Sequence, residues 1–128
     1  MKNNPQLIRD AALAVDFIMN QASSVKAVLI STEDGFEVAS RTENTAQITR
    51  LSAMASSLAA LGALAGEESR LGECKNLIVE AEFGLLIILQ VRIGTDTLIM
   101  SVIAGKDAAI GQVLYYAKDA ARTLAKAP

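Results

Sequence analysis

Histidine is absent from this 128-residue chain, and cysteine occurs once. The missing His removes the commonest general base and metal ligand, so Ser-His and Cys-His nucleophilic systems are excluded. The lone Cys74 rules out an intrachain disulfide and a multi-thiolate zinc site, and it fits a reducing compartment. No GxxxxGK[ST] sequence occurs, so there is no P-loop. We therefore expect no catalytic residue, no cofactor and no metal.

Aromatic residues make up only 4% of the chain, and 12 Lys and Arg stand against 14 Asp and Glu. Binding to nucleic acid requires clustered basic side chains or stacking aromatics, so we expect no nucleic-acid partner. The N-terminal residues lack the apolar core of a signal peptide. The aliphatic run Leu85 to Leu89 and the uncharged segment Leu51 to Gly66 fall short of the ~20 residues of a membrane span. The expectation is a cytoplasmic protein without membrane insertion.

The most informative segment that is present runs from Leu51 to Gly66 (LSAMASSLAALGALAG) and carries no charge. Leu, Ala and Met favour helix, so we predict one helix from about Ala46 to Glu68. A helical wheel gives it a broad apolar arc of Leu51, Met54, Leu58, Leu61 and Ala65. The opposite side carries only small residues: Thr49, Ser52, Ala53, Ser56, Ala60 and Ala63.

A surface helix normally carries charge on its outer face, so this helix is predicted to be covered on most sides. Small side chains let another backbone approach closely, which favours a helix–helix contact on the small-residue side. The alternative is a core helix that is covered within one chain. Because only three helices are predicted, little of the chain remains to cover it, and we favour a contact with another molecule.

The remaining segments predict the order α-β-β-α-β-β-β-α in a single domain spanning residues 1–128. A first helix starts at Asn4-Pro5, Asp34-Gly35 makes a hairpin turn, and Asp107 is predicted to cap the last helix. The predicted strands are Val25–Ser31, Phe36–Ser40, Asn76–Glu82, Leu85–Ile93 and Thr97–Ala104. The last two strands are apolar at nearly consecutive positions, which is typical of strands covered on both faces.

These elements predict an α/β (α+β) fold, a three-layer α/β/α domain with a five-stranded, mostly antiparallel sheet. The long helix joins two groups of strands and must cross one face. The two terminal helices must then take the other face.

Four polar features have possible chemical roles. Glu80 and Glu82 lie on one face of a strand and Glu33-Asp34 sits at a turn, where paired carboxylates can do acid–base work or bind a cation. We favour solvated charges that protect a sheet edge. Cys74 is more readily explained as an incidental Cys than as a reactive thiol, and Tyr115-Tyr116 as one packed and one exposed ring than as a ligand site.

The chain resembles the Roadblock-type domain superfamily, and most of all the bacterial members that regulate Ras-like GTPases. The resemblance covers nearly the whole chain. It is carried by the ordered set VKAVLISTEDGFEVAS at Val25 to Ser40, the small-residue helix, NLIVEAEFGLLIILQV, and Ile110-Gly111 at the start of the last helix.

The resemblance implies a sheet order of 2-1-5-4-3 and a homodimer in which the long helices pair and the third strands meet edge to edge. Carried over to this chain, the third strand is Leu77 to Glu82. The implied interface residues are Ser52, Ala53, Ser56, Ala60, Ala63, Leu77 and Val79. The family supplies no catalytic residues, and Arg41 and Arg50 near the helix entrance are potential partner contacts only.

Our leading hypothesis is therefore a non-catalytic homodimer that binds a small Ras-like GTPase and modulates its nucleotide cycle. The main alternative is a dimeric scaffold without a GTPase. A small-molecule sensor and an enzyme are the remaining alternatives, and the apolar strands offer a small ligand no polar anchor.

Overall fold

The computed structural model describes residues 4–42 and 47–126. Its elements follow the predicted order. The helices are α1 (Pro5–Gln21), α2 (Ile48–Glu68) and α3 (Ile110–Ala125), and the strands are β1 (Val25–Thr32), β2 (Glu37–Thr42), β3 (Asn76–Ala81), β4 (Gly84–Ile93) and β5 (Asp96–Gly105).

The five strands form one sheet in the order β2-β1-β5-β4-β3, and every neighbouring pair is antiparallel. This is the strand order implied by the resemblance, so that expectation is confirmed. β3 and β2 are the two edge strands. The β1–β2 hairpin turns at Gly35, whose φ of 93° lies in the left-handed region that glycine adopts without steric cost.

The helix ends agree only partly with the sequence predictions. The Asn4 side chain accepts hydrogen bonds from the backbone N–H groups of Gln6 and Leu7, so α1 begins as predicted. The predicted start of α2 at Ala46 lies outside the described residues. The predicted cap of α3 is wrong: Asp107 sits in the turn after β5, and Ala109 is the N-cap, without a side-chain hydrogen bond.

The main core lies between the sheet and the terminal helices. α1 packs against α3, and both contact the sheet, which confirms that the terminal helices share one face. The fully buried side chains here are large and come from strands and helices alike, including Ile18, Ile30, Ile87, Met100 and Leu124. α2 covers the opposite face and contacts every strand. The three-layer prediction is therefore confirmed.

Candidate interaction surface

α2 rests on the sheet through its smallest side chains. Its buried residues are Ile48, Ser52, Ala55, Ala59 and Gly62, which recur every three or four residues and so form one line along the helix. Beneath it, Ala55 and Ala59 pack with Ile88 and Ile99 in a small buried cluster, and Leu29 of β1 is fully buried on the same face. At the end of α2 the following loop folds back on the helix, and a Cβ at Gly66 would overlap the carbonyl oxygen of Gly72 there.

Three hydroxyl groups are also buried on this face. Ser52 points from α2, and Ser31 and Ser101 lie on β1 and β5 at positions that pair with Ile99 and Ile88 of the enclosed cluster. None of the three side-chain oxygens has a hydrogen-bond partner among the described residues. A buried hydroxyl contributes less to stability than a methyl group in the same place, so the α2 layer adds less to the core than its length suggests.

One flank of α2 exposes large apolar side chains. Met54 is 44% exposed and Leu61 is 59% exposed, while Leu51 and Leu58 on the same flank are half-buried. We call these four residues the leucine flank. Leu58 packs against the same enclosed cluster as Leu77 of β3 and Leu86 of β4. The leucine flank therefore lies beside the β3–β4 side of the sheet.

The sheet next to the leucine flank is itself apolar and incompletely covered. Val79 pairs with Leu86, and Leu86 pairs with Ile103, so these three side chains share the face that carries α2. Leu86 and Ile103 are half-buried, and Val79 is 40% exposed. β3 is an edge strand, so its outer backbone groups are open to pairing with another strand. Leucine flank and strand surface together form one continuous apolar region.

The predicted interface residues fall on different parts of this layer. Leu77 is half-buried and Val79 is exposed, both beside the leucine flank. Ala53, Ala60 and Ala63 are exposed on the opposite flank of α2. Ser56 belongs to that opposite flank too, and its hydroxyl donates to the backbone carbonyl of Glu33 in the β1–β2 turn.

Ser52 requires a correction. It is 1% exposed and lies between α2 and the sheet of its own chain, so it is not on the surface where a second molecule would bind. The helical wheel divided α2 into an apolar arc and a small-residue side. The buried line of α2 residues that meets the sheet runs between these two sides. A helical wheel alone does not show this, because it contains no information on where the sheet lies.

The polar candidates lie on separate elements of the fold. The described residues contain no group of three His, Cys, Asp or Glu side chains placed to hold a metal ion. Cys74 is half-buried and its thiol donates to the carbonyl of Asn76, 3.4 Å away. Tyr116 is half-buried and packs edge-on against Phe17, whereas Tyr115 is exposed, as the packed-and-exposed interpretation expected.

The two arginines near the helix entrance have different surroundings. Arg41 lies 3.5 Å from the carboxylate of Asp16, and both side chains are exposed. Arg50 is exposed in the first turn of α2. An exposed ion pair such as that of Arg41 with Asp16 contributes little to stability.

By length and composition alone, α2 is long and apolar enough to cross a membrane. The uncharged segment is itself shorter than a span, as expected, and the helix reaches 21 residues only with its charged ends. In the fold, however, one line of the helix packs on the sheet, and Ala55 is fully buried there.

No protein-family model matches the sequence, and no curated protein matches it significantly. Solved structures match the fold closely. Myxococcus xanthus MglB has a TM-score of 0.81 and 18% identity, over 93% of this chain and 87% of that one. A Roadblock/LC7 domain from Streptomyces avermitilis has a TM-score of 0.78 and 18% identity, over 88% of this chain and 92% of that one.

An MglB structure with a tetrameric arrangement gives a TM-score of 0.80 at 15% identity, over 96% of this chain and 90% of the other. All three matches extend over most of both chains, so they compare whole domains rather than a shared motif. With three helices and a sheet in the order β2-β1-β5-β4-β3, this chain has the Roadblock-type fold.

Proposed function

We propose that this protein is a non-catalytic, cytoplasmic homodimer that binds a small Ras-like GTPase and modulates its nucleotide cycle. The observation that carries the proposal is the apolar region formed by the leucine flank of α2 and the uncovered strands beside it. Fully burying one Leu or Met side chain contributes about 1.5–3 kcal/mol. An apolar region of this kind at a sheet edge is typical of a protein–protein interface.

A second copy of the chain fits this region in two ways. Its α2 would pack beside the first α2 and cover the leucine flank together with Leu86 and Ile103. Its β3 would pair with the open edge of β3, which places Leu77 and Val79 at the junction. An MglB structure of the same fold has a tetrameric arrangement, which supports self-association in general.

The sequence prediction placed the contact on the small side of α2, around Ala53, Ser56, Ala60 and Ala63. We instead assign the dimer contact to the leucine flank, because that flank exposes more apolar area and adjoins the open strand edge. In such a dimer the two small-residue sides would face outward. That leaves them as a surface for the GTPase.

The GTPase role rests on the sequence resemblance to bacterial regulators of Ras-like GTPases together with the shared fold. The first measurement is the mass of the chain in solution by light scattering across a dilution series. A mass near twice the chain's 13.5 kDa is expected at all but the lowest concentrations. A monomer at every concentration would contradict the dimer.

The second measurement uses a purified Ras-like GTPase encoded near this gene, loaded with GDP or with GTP. Addition of the dimer is expected to change the rate of GTP hydrolysis or of nucleotide release. Ala60→Glu is expected to weaken this effect while leaving the dimer intact, with Gln112→Glu on the exposed side of α3 as the control. If the dimer forms but leaves both rates unchanged and does not bind the GTPase, the scaffold alternative replaces this proposal.

A further inference from the structure

A second surface lies on the opposite layer of the domain, where α1 and α3 pack side by side. A groove of about 170 Å³ opens between them. Its floor is formed by Ala14, Ala120 and Leu124, which are buried. The two alanines leave space where larger side chains would have filled the gap between the helices. We call this the α1–α3 groove.

The rim of the groove is apolar on the α1 side. Leu13 is 67% exposed, and Phe17 is half-buried against the edge of Tyr116. An exposed Leu beside a groove with an apolar floor is an anchoring position for an aliphatic side chain of another molecule. None of these residues belongs to the α2 surface assigned to the dimer.

The charged groups that line the groove are both acidic. Asp10 lies one turn before Ala14 on α1, and Asp119 lines the groove from α3. Arg122 lies 3.6 Å from Asp119 and partly balances its charge. Asp10 accepts a hydrogen bond from the Gln6 side chain through Oδ1, while its Oδ2 is shielded from solvent and has no hydrogen-bond partner among the described residues.

Asp10 takes part in no ion pair among the described residues, so a cationic side chain of a bound molecule would find its carboxylate free to form a charge-assisted hydrogen bond. From this combination we propose that the α1–α3 groove binds a peptide segment of a partner protein. The segment inserts an aliphatic side chain between Leu13 and Phe17 and directs a Lys or Arg to Asp10. The proposal concerns a different face from the proposed dimer and stands independently of the GTPase role.

A selection from displayed random peptides tests the proposal without a known partner. The bait is the folded full-length chain, and the enriched peptides are assayed against Asp10→Asn and Leu13→Gln. Two matched controls lie on the same helix outside the groove: Asp16→Asn, which removes an exposed carboxylate, and Ile8→Gln, which removes an exposed aliphatic side chain.

The expected peptides combine an aliphatic residue with a nearby Lys or Arg. Asp10→Asn is expected to weaken their binding by about tenfold or more, the usual consequence of losing a hydrogen bond to a charged group. Leu13→Gln is expected to weaken it at least as much, and the two controls are expected to leave it unchanged. Circular dichroism melting curves identify any variant that fails to fold.

Three results would overturn the proposal. The first is enrichment of peptides without basic residues, and the second is equal binding to Asp10→Asn and to the unaltered chain. The third is the absence of any peptide whose binding depends on the groove. Light scattering on Leu13→Gln tests whether the groove is occupied by a second copy of the chain. If the unaltered chain forms assemblies larger than a dimer and this variant does not, the groove holds a second copy instead of a partner peptide.

Discussion

The terminal helices meet their face of the sheet through large side chains such as Ile18 and Leu124, whereas α2 meets the other face mainly through small ones. On the first face, two helices enclose an extensive cluster of Ile, Leu, Val and Met. On the second, one helix meets the sheet through Ser52, Ala55, Ala59 and Gly62 and leaves leucines exposed beside it. The comparison indicates that one face is complete within the chain and that the other is completed by a second molecule.

Neighbouring residues on β4 show the same division. Ile87 and Ile88 are both buried, but they point to opposite faces because side chains alternate along a strand. Ile87 lies in the large core and Ile88 in the small cluster under α2. The two faces therefore differ in their surroundings rather than in the strand that builds them.

The largest expected effect tests which flank of α2 completes the second face. Leu61→Glu would bury an unpaired charge in the proposed dimer, which costs about 3–5 kcal/mol and corresponds to more than about a hundredfold in the dimer dissociation constant. Ala60→Glu, one residue away on the opposite flank, is expected to leave the dimer intact. The measurement is the mass by light scattering across a dilution series.

The opposite pattern would support the small-residue side that the sequence favoured. A dimer that survives both substitutions would place the contact away from α2. Circular dichroism of both variants checks that each still folds, since both positions are exposed and neither change is expected to unfold the chain.

The next-largest expected effect compares the stability cost of shortening two residues of β4 that point to opposite faces of the sheet. Ile87→Ala is expected to lower the free energy of unfolding by about 2–4 kcal/mol, because it leaves a cavity among large, close-packed side chains. Ile88→Ala is expected to cost less, because its cluster is smaller and its neighbours Leu58, Leu77 and Leu86 are already partly exposed, so fewer packing contacts are lost. Urea unfolding of both variants at one protein concentration measures the difference. An equal or larger cost for Ile88→Ala would contradict the contrast between the faces.

The smallest expected effect concerns the contact between the end of α2 and the loop that follows it. Gly66→Ala is expected to destabilise the protein by about 1–3 kcal/mol, because the added Cβ would overlap the Gly72 carbonyl oxygen. Gly111→Ala is the matched control. It lies in α3 with no atom within 4 Å of the added Cβ and is expected to stabilise by about 0.4–1 kcal/mol. Thermal melts of the two variants should therefore shift in opposite directions.

Most of the fold was predictable from local patterns. The Asn4 cap, the Asp34-Gly35 turn and the aliphatic runs each depend on a few neighbouring residues, and the element order and the layers followed from them. The strand order came from the resemblance rather than from spacing. The cap predicted at Asp107 failed because β5 extends to Gly105 and a turn separates it from the last helix.

The candidate surface was predictable only in outline. A helix without charge indicated a covered helix, but the orientation of α2 depends on which residues fit against β1, β4 and β5. The structure turns Ser52 inward and leaves Leu61 outward, although hydrophobicity alone favours the reverse. The α1–α3 groove had no sequence signal, because Asp10 and Asp119 are more than a hundred residues apart and line one groove only when the terminal helices pack.

The sequence by itself determined the absence of His-based chemistry and the order of helices and strands. It also indicated that the uncharged helix is buried on most sides by other residues. These properties depend on residue identity and short-range periodicity. Only the tertiary structure decided which line of α2 meets the sheet, which apolar side chains remain outside, and which acidic groups line the α1–α3 groove. Those outcomes depend on backbone approach between distant segments: small residues can come closest to the sheet, so they take the buried line and leave the leucines at the surface.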